Sequence, residues 1–146
     1  MKKQHILFLL LPLLFVSCNE RKAANPAPAF DEASTSQILE HHWDAFRSND
    51  LEETMADYTE ESVLITPDKT YKGLTEIREN FVQAFAAFPK DSTTMTLEKS
   101  IVQQDVGYII WQATTPKFKL TFGTDTFIIQ DGKIVRQTYA GVAVPL

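Results

Sequence analysis

The sequence has little cysteine, glycine or histidine: one cysteine, five glycines and three histidines occur in 146 residues. A lone cysteine, Cys18, can form neither an intrachain disulfide nor a thiolate metal centre. The scattered glycines form no Gly-rich phosphate loop and no Gly-x-Ser-x-Gly elbow around a nucleophilic serine. We therefore expect neither a metal nor a cofactor.

Basic charge is also scarce. The 14 Lys and Arg residues are outnumbered by 19 Asp and Glu residues, which gives a net charge of −5. Removal of residues 1–17 would take away Lys2 and Lys3 but no acid, and the net charge would become −7. Because Lys and Arg contacts with phosphate supply most of the affinity for nucleic acid, we expect no nucleic-acid partner.

Only one long apolar run is present, and it lies at the amino terminus. Lys2 and Lys3 precede an apolar segment over residues 6–16 that is broken only by Pro12. The run is too short to span a bilayer comfortably and has the layout of a secretory signal. Its end, Leu14-Phe15-Val16-Ser17-Cys18, resembles a bacterial lipobox, in which the cysteine becomes the lipidated first residue.

These features predict a bacterial lipoprotein. Residues 1–17 would be the lipoprotein signal peptide, and lipidated Cys18 would anchor the protein to a membrane of the cell envelope, periplasmic or surface-exposed. Residues 18–31, with two prolines and four alanines, would be a flexible tether. The alternative is an ordinary signal peptide followed by an incidental cysteine.

Helical periodicity dominates the first half of the predicted domain, residues 32–146. Leu39, His42, Trp43 and Phe46 share one face of a helix over about residues 33–48, which Ser34, Thr35 or Ser36 could cap. A short second helix follows Asp50, which forms a capping-box pattern with Glu53. A third helix ends near Pro89 and carries a stripe of apolar residues: Leu74, Ile77, Phe81, Phe85 and Phe88.

Strand patterns dominate the second half. A short strand over residues 62–66 precedes the third helix, and four long strands are predicted over residues 93–103, 108–114, 118–129 and 134–144. Asp131-Gly132 is a typical hairpin turn between the last two strands. The fold class is α+β: a curved antiparallel sheet of about four long strands wrapped on three amino-terminal helices, with a pocket between them.

Several short motifs resemble the nuclear transport factor 2-like superfamily in its SnoaL-like branch, over about residues 34–143. The motifs are Trp43-Asp44-Ala45-Phe46, Asn49-Asp50-Leu51, Tyr58-Thr59-Glu60-Glu61-Ser62-Val63, Lys72-Gly73-Leu74-Thr75-Glu76-Ile77, Asp125-Thr126-Phe127 and Asp131-Gly132-Lys133-Ile134. The resemblance implies a cone-shaped α+β barrel, the ketosteroid isomerase-like fold, with a cavity at one end. The superfamily includes isomerases, dehydratases and epoxide hydrolases as well as modules that only bind or dimerise, so fold alone does not determine function.

The isomerase branch implies three polar positions in this chain. Its general base, a carboxylate before the proline that ends the short strand, is replaced by Thr66, whose hydroxyl is far too weak a base. Its tyrosine oxyanion donor corresponds to His42. Its second donor, a carboxylic acid on a late strand, corresponds to Asp125 if the hairpin is one residue shorter. The missing base argues against steroid-type isomerisation.

His42 and Asp125 are therefore the candidate catalytic residues. His42 should face inward, either as a buried histidine satisfied by one hydrogen bond or as an acid–base or ligand-orienting group. Asp125 alternates with apolar Phe127 and can face the cavity, again with a purely structural role as the alternative. His41 should point the other way. The predicted ligand-binding residues are Trp43, Phe81, Phe85, Phe127, Gln137 and Tyr139.

Three functional hypotheses remain open. The first is a membrane-anchored domain that binds a small, largely apolar molecule in its cavity without the isomerase chemistry. The second is an enzyme of the lyase, isomerase or hydrolase kind that uses His42 and Asp125. The third is an interaction module that forms a homodimer through the outer face of its sheet. If the His42 ring and the Asp125 carboxylate line one solvent-reachable cavity within about a hydrogen bond or one bridging water, the enzyme is favoured over the simple binder. If His42 is instead capped by the backbone in a filled core, the enzyme hypothesis fails.

Overall fold

The computed structural model describes residues 31–146. The predicted signal peptide, Cys18 and nearly all of the tether lie outside the described residues. Within residues 31–146, no helix is both long and apolar enough to cross a membrane.

Two helices, two short strands and a third helix precede four long strands, and the helices pack on the inner face of the mixed six-stranded sheet. The helices are α1 (Glu32–Arg47), α2 (Leu51–Ala56) and α3 (Gly73–Ala87). The strands are β1 (Val63–Ile65), β2 (Thr70–Lys72), β3 (Thr94–Gln103), β4 (Val106–Thr114), β5 (Phe118–Gln130) and β6 (Lys133–Pro145). The α+β class, the three helices and the four long carboxyl-terminal strands are as predicted.

The sheet order is β2-β1-β6-β5-β4-β3, and it differs from the prediction at one edge. Strands β3 to β6 form the expected antiparallel meander. Strand β1, however, pairs in parallel with β6, so the prediction of a purely antiparallel sheet is wrong here. Strand β2 was not predicted, because three residues after a turn at Pro67-Asp68 carry too short a pattern to distinguish a strand from a loop.

The helix caps differ partly from those that the sequence predicts. Asp31, rather than Ser34, Thr35 or Ser36, caps α1, and its side chain accepts from the amide of Ala33 at 3.1 Å. Asp50 caps α2 as predicted and accepts from the amide of Glu53 at 3.1 Å. The capping box is incomplete because the Glu53 side chain bonds to His41 instead of returning to Asp50.

Irregularities in the long strands bend the sheet around the helices. The Asp131-Gly132 hairpin has positive φ at both positions, 51° and 70°, as a type I′ turn requires. The register shifts between Trp111 and Ala113 and again between Leu120 and Phe122. Such bulges increase the local twist of a sheet and bend it.

The apolar core lies between the helices and the inner face of the sheet. Its most buried members include Leu64, Ile77, Leu120, Phe127 and Ile134, each at most 1% exposed. Trp111 is buried on this inner face, whereas Tyr108 is not buried. The core is incomplete at one end, where the helices and the sheet diverge around a cavity.

Candidate functional site

A cavity of about 490 Å³ lies between α1, α3 and the inner face of the sheet. Its exposed lining residues Pro67, Asp68, Gln83 and Gly141 mark the mouth. Eight of the lining side chains are aromatic: Trp43, Phe46, Tyr71, Phe81, Phe88, Trp111, Phe127 and Tyr139. A volume of this size suits a small molecule, and the aromatic wall favours an apolar one.

His42 lines this cavity from α1 and is only 3% exposed. Its ring packs edge-on against Tyr58, Phe81 and Phe127, with centroid distances of 5.3, 5.6 and 5.4 Å. Both ring nitrogens have side-chain partners: Nδ1 lies 3.1 Å from Asp57 Oδ2 and Nε2 lies 3.2 Å from Tyr58 Oη. The inward orientation is as predicted, but His42 is held by side chains at both nitrogens and not by one bond.

Asp57 was missed by the sequence analysis, and so was its link to both histidines. His41 Nδ1 lies 2.9 and 3.1 Å from the two Asp57 carboxylate oxygens, on the same group that His42 contacts. His41 is exposed and His42 is buried, as their opposite directions from the helix predict, yet both rings contact this one carboxylate. Asp57 follows α2 directly, at a position where a sequence pattern does not indicate burial.

His41 is the part of this cluster that reaches solvent, with 43% of its side chain exposed. Partial burial lowers the pKa of His41, but the charge of Asp57 and hydrogen bonds with Asp57 and Glu53 raise it by more. Its net pKa therefore lies above the ordinary value of 6.5. His41 is thus a surface-accessible proton donor to a buried carboxylate.

Asp125 lines the cavity from the centre of β5 and is 6% exposed. Trp111 Nε1 donates to its Oδ2 at 2.8 Å, and Gln137 Nε2 donates to its Oδ1 at 2.9 Å. Burial raises the pKa of Asp125 to about 6, although the two hydrogen bonds and the charge of His42 act in the opposite direction. Near neutral pH this carboxyl group can therefore either donate or accept a proton.

Tyr58 and Gln137 connect the two candidate catalytic residues. The Tyr58 hydroxyl donates to Gln137 Oε1, and Gln137 Nε2 donates to Asp125. Burial raises the pKa of Tyr58 well above its ordinary value, and the charges of Asp125 and Asp57 raise it further, so Tyr58 stays neutral. We call the continuous set of hydrogen bonds the polar network; its members are, in order, His41, Asp57, His42, Tyr58, Gln137, Asp125 and Trp111.

Five of the six predicted ligand-binding residues line the cavity. They are Trp43, Phe81, Phe127, Gln137 and Tyr139. Phe85 does not line it, because the α3 stripe places Phe85 against the rings of Phe46 and Phe81, at 5.7 and 6.1 Å. Trp111 and Phe46 line the cavity but were not among the predicted binding residues.

The position of the missing isomerase base lies at the mouth of the cavity. Thr66 lines the cavity, but its hydroxyl belongs to the following turn: it donates to the carbonyl of Lys69 at 3.1 Å and accepts from the Lys69 amide at 3.2 Å. Asp68 lies nearby and is exposed. Neither group offers a buried carboxylate at this place.

The ionisable groups of the cavity wall are His42, Asp68, Asp125 and the two tyrosines Tyr71 and Tyr139. No lysine or arginine of the described residues lines the cavity, so a bound anion would have no such counter-charge. Over residues 31–146, no three metal-ligating side chains are placed to hold an ion together.

Comparison with known proteins agrees with this geometry. The family model described as "SnoaL-like domain" matches residues 39–137. No curated protein shows significant sequence similarity to the chain.

Solved structures share the fold at low sequence identity. An NTF2-like protein of unknown function from Mesorhizobium loti is 20% identical, with a TM-score of 0.65 over 80% of this chain and 97% of that one. A candidate ketosteroid isomerase from Kribbella flavida is 16% identical, with a TM-score of 0.66 over 77% of this chain and 81% of that one. A SnoaL-like protein of unknown function from Burkholderia thailandensis is 13% identical, with a TM-score of 0.63 over 78% and 98%. At these identities the similarity shows the fold alone.

The raised pKa of Asp125 predicts a specific pH dependence of stability. Because the folded state binds this proton more tightly than the unfolded state, the contribution of Asp125 to the free energy of unfolding falls as pH rises from about 4 to about 6. Asp125→Asn should lack this fall, which is on the order of 2–3 kcal/mol. Urea unfolding at several pH values between 4 and 7 would measure the difference, and parallel curves for the two proteins would contradict the assignment.

Proposed function

Since the chain belongs to the SnoaL-like domain family, we propose that its cavity binds a small, largely apolar, uncharged molecule. The observation that carries the proposal is the cavity of about 490 Å³ with eight aromatic lining side chains, whose sheet side carries a polar wall formed by Asp125, Gln137 and Tyr139. Apolar binding sites with a few convergent polar groups are typical of small-molecule sites in proteins. The polar wall would orient a ligand that carries one hydroxyl or carbonyl group.

The charge of the wall supports an uncharged ligand. An anionic ligand that entered this cavity would lose its hydration and lie beside Asp125. No lysine or arginine among the lining residues would compensate its charge. Burial raises the pKa of Tyr139 to about 12, and the charge of Asp125 raises it as well, so its hydroxyl is a neutral hydrogen-bonding group. The polar wall therefore suits a neutral ligand better than an acidic one.

A second candidate function is acid–base catalysis by Asp125 and His42. It is supported by their position in one cavity and by the Asp125 pKa of about 6, which suits a general acid or base near neutral pH. Isomerisation that depends on a carboxylate at the Thr66 position receives no support. We therefore place binding first and a different acid–base reaction second.

Two matched fluorescent probes test the binding proposal. N-phenyl-1-naphthylamine is neutral, and 8-anilinonaphthalene-1-sulfonate has the same ring system with a negative charge. We expect the neutral probe to bind at least about tenfold more tightly, a difference of about 1.4 kcal/mol. Both tryptophans of the chain, Trp43 and Trp111, line the cavity, so quenching of their fluorescence would report occupancy.

A pair of variants on α3 supplies the control for this experiment. Ala84 lines the cavity and Ala86 is exposed on the same helix. Ala84→Leu should weaken probe binding about tenfold by filling the cavity, whereas Ala86→Leu should not. Equal effects, or tighter binding of the sulfonate, would refute the proposal. Mass spectrometry of the molecules that co-purify with wild type and with Asp125→Asn tests the second candidate function, acid–base catalysis. If Asp125 is catalytic, the variant should retain a substrate that the wild-type protein has converted.

We further propose that the domain is held at a bacterial membrane by lipidated Cys18. Support comes from the basic start, the apolar run over residues 6–16 and the position of the only cysteine at the end of that run. Acyl chains bury enough CH₂ groups to anchor an otherwise soluble domain. The ligand cavity would then work within the cell envelope.

The anchor is testable with one substitution. Cys18→Ser should abolish lipid labelling and processing and move the protein from the membrane fraction to the soluble fraction. Ser17→Ala, which keeps a small residue before the cysteine, should preserve both. The anchor would be ruled out if Cys18→Ser were still processed and still sedimented with membranes.

The outer face of the sheet supports a homodimer. Phe122 on β5 and Val142 on β6 are direct cross-strand neighbours and are 42% and 57% exposed, whereas Leu120 and Gly123 face inward. Contiguous apolar residues exposed on a sheet face can form part of an interaction surface. We propose that a second copy of the chain covers it.

Sedimentation velocity tests the homodimer. We expect a dimer whose dissociation constant rises at least about tenfold in Phe122→Lys, because a lysine at the centre of an apolar interface is poorly solvated. Val82→Lys, at an exposed apolar residue on α3, is the control and should sediment as wild type. A monomer at all concentrations would refute the dimer.

A further inference from the structure

The directions of the hydrogen bonds in the polar network can be assigned from the cavity outward. Trp111 Nε1 can only donate, and it does so to Asp125. Gln137 Nε2 donates to the other Asp125 oxygen, which leaves Gln137 Oε1 to accept from the Tyr58 hydroxyl. That hydroxyl has one proton, so the contact between Tyr58 Oη and His42 Nε2 requires a proton on His42 Nε2.

The opposite side of the His42 ring also needs a proton. Nδ1 lies 3.1 Å from Asp57 Oδ2, and an ionised carboxylate can only accept. Neutral imidazole carries a proton on one nitrogen only. With Asp57 and Asp125 both ionised, the network is therefore satisfied only when His42 carries a proton on both nitrogens.

A second arrangement satisfies the same contacts with the same number of protons. If Asp125 is protonated, it donates to Gln137 after a half-turn of the amide, which exchanges the amide nitrogen and oxygen. The amide nitrogen then donates to Tyr58, and the Tyr58 hydroxyl donates to His42 Nε2. His42 is neutral in this arrangement, with its one proton on Nδ1 directed at Asp57.

We propose that His42 and Asp125 share one proton through Tyr58 and Gln137, so that near neutral pH protonation of Asp125 is coupled to deprotonation of His42 Nε2. Between the two arrangements His42 loses a proton, Asp125 gains one, and the Tyr58 hydroxyl and Gln137 amide reverse direction. The network as a whole neither gains nor loses a proton. Asp57 acts as a positioning residue, because its carboxylate holds the Nδ1 proton in both arrangements.

Other ionisable groups near the network do not supply an alternative proton. Tyr139 is neutral, and Asp68 is exposed at the mouth. The cavity-lining residues of α3 are Asn80, Phe81, Gln83, Ala84 and Phe88, none of which titrates. On the outer side, His41 contacts Asp57 and Glu53, and Lys133 donates to the backbone carbonyl of Ala56. Among these outer groups, the exposed His41 is the one that contacts the Asp57 carboxylate directly.

The shared proton has a direct consequence for the ligand. In one arrangement Asp125 presents an ionised carboxylate to the cavity, and in the other it presents a neutral carboxyl group whose proton is donated to Gln137. A ligand that favours either form at Asp125 would also set the state of His42. This inference rests on the proposed function only in taking the cavity as the ligand site.

The test uses a substitution, Asp57→Asn, for which direct electrostatics and the coupled network predict opposite shifts in the titration of Asp125. Asp57→Asn removes a negative charge, which by direct electrostatics would make Asp125 more acidic. In the coupled network the same substitution removes the anion that supports a doubly protonated His42, so the proton moves to Asp125. We therefore expect the titration midpoint of Asp125 to rise by about one pH unit, or tenfold in proton affinity. The readout is the side-chain ¹³C carboxyl signal of the processed, ligand-free protein, assigned with Asp125→Asn.

Two further variants separate coupling from long-range charge effects. Asp68→Asn removes a carboxylate from the same cavity but outside the polar network, and should not raise the Asp125 midpoint. Tyr58→Phe interrupts the network, and in that background Asp57→Asn should raise the midpoint by less than about a third of a unit. A lowered or unchanged midpoint in Asp57→Asn, or a rise that survives Tyr58→Phe undiminished, would overturn the proposal.

A measurement on the wild-type protein keeps the proposal testable if Asp57→Asn does not fold. The protonated fraction of Asp125 near neutral pH should equal the fraction of His42 that lacks its Nε2 proton, read from imidazole ¹⁵N signals, and the two should change together with temperature. His41→Gln identifies the other histidine signal, because His5 lies in the proposed signal peptide and is absent from the processed protein. Unequal fractions would refute the coupling. These NMR measurements are made without a ligand. A negative result for proton coupling would therefore not contradict the binding proposal, and a negative result with the fluorescent probes would not contradict proton coupling.

Discussion

The buried carboxyl group of Asp125 is the constraint on which the cavity depends. A carboxyl group in an apolar wall is costly unless its oxygens are hydrogen-bonded. Its two donors come from different strands, Trp111 on β4 and Gln137 on β6, so the register of three adjacent strands must be correct for either bond to form. A slip of one residue in either pairing would turn the donor to the outer face.

The same carboxyl group also ties the sheet to the helices. Tyr58 donates to Gln137 and contacts His42 on α1, and His42 in turn contacts Asp57 at the end of α2. The aromatic rings of Phe81 and Phe127 pack around His42 and keep water from these bonds. Low local polarity strengthens each hydrogen bond and raises the cost of leaving any member unpaired. A continuous polar network thus crosses an otherwise apolar core.

The sequence predicts the elements of this site better than their connections. The 3.6-residue spacing around His42 and the alternation around Asp125 place both side chains inward, because these periodicities depend only on neighbouring residues. The partners Asp57 and Tyr58 follow a short helix and have no periodicity of their own. The parallel pairing of β1 with β6 and the convergence of His41 and His42 on one carboxylate are also long-range results of packing. Phe85 is a case in which the periodicity is predicted correctly and the role is not. The apolar stripe of α3 places Phe85 inward, but periodicity does not distinguish the cavity wall from the core behind it.

The family resemblance and the cavity wall agree on the place of function but not on its chemistry. At the mouth, the Thr66 hydroxyl is bonded to Lys69 in the position where a carboxylate base would be needed. At the inner end, a carboxyl group with a pKa of about 6 is present and connected to a histidine. The Asp125 carboxyl group therefore matches the isomerase pattern, and the threonine in place of a carboxylate at position 66 departs from it.

The parallel pairing of β1 with β6 has a consequence for the order of folding. Residues 63–65 meet residues 136–138, more than 70 positions later in the chain. Such distant pairing slows folding, because a long loop must be ordered before the contact forms. Gln137, Tyr139 and Gly141 all belong to β6, so the cavity is incomplete until this strand has been made and has paired. Strand β6 also joins β1 and β2 to the rest of the sheet, and its loss would remove the site and detach that edge of the sheet together.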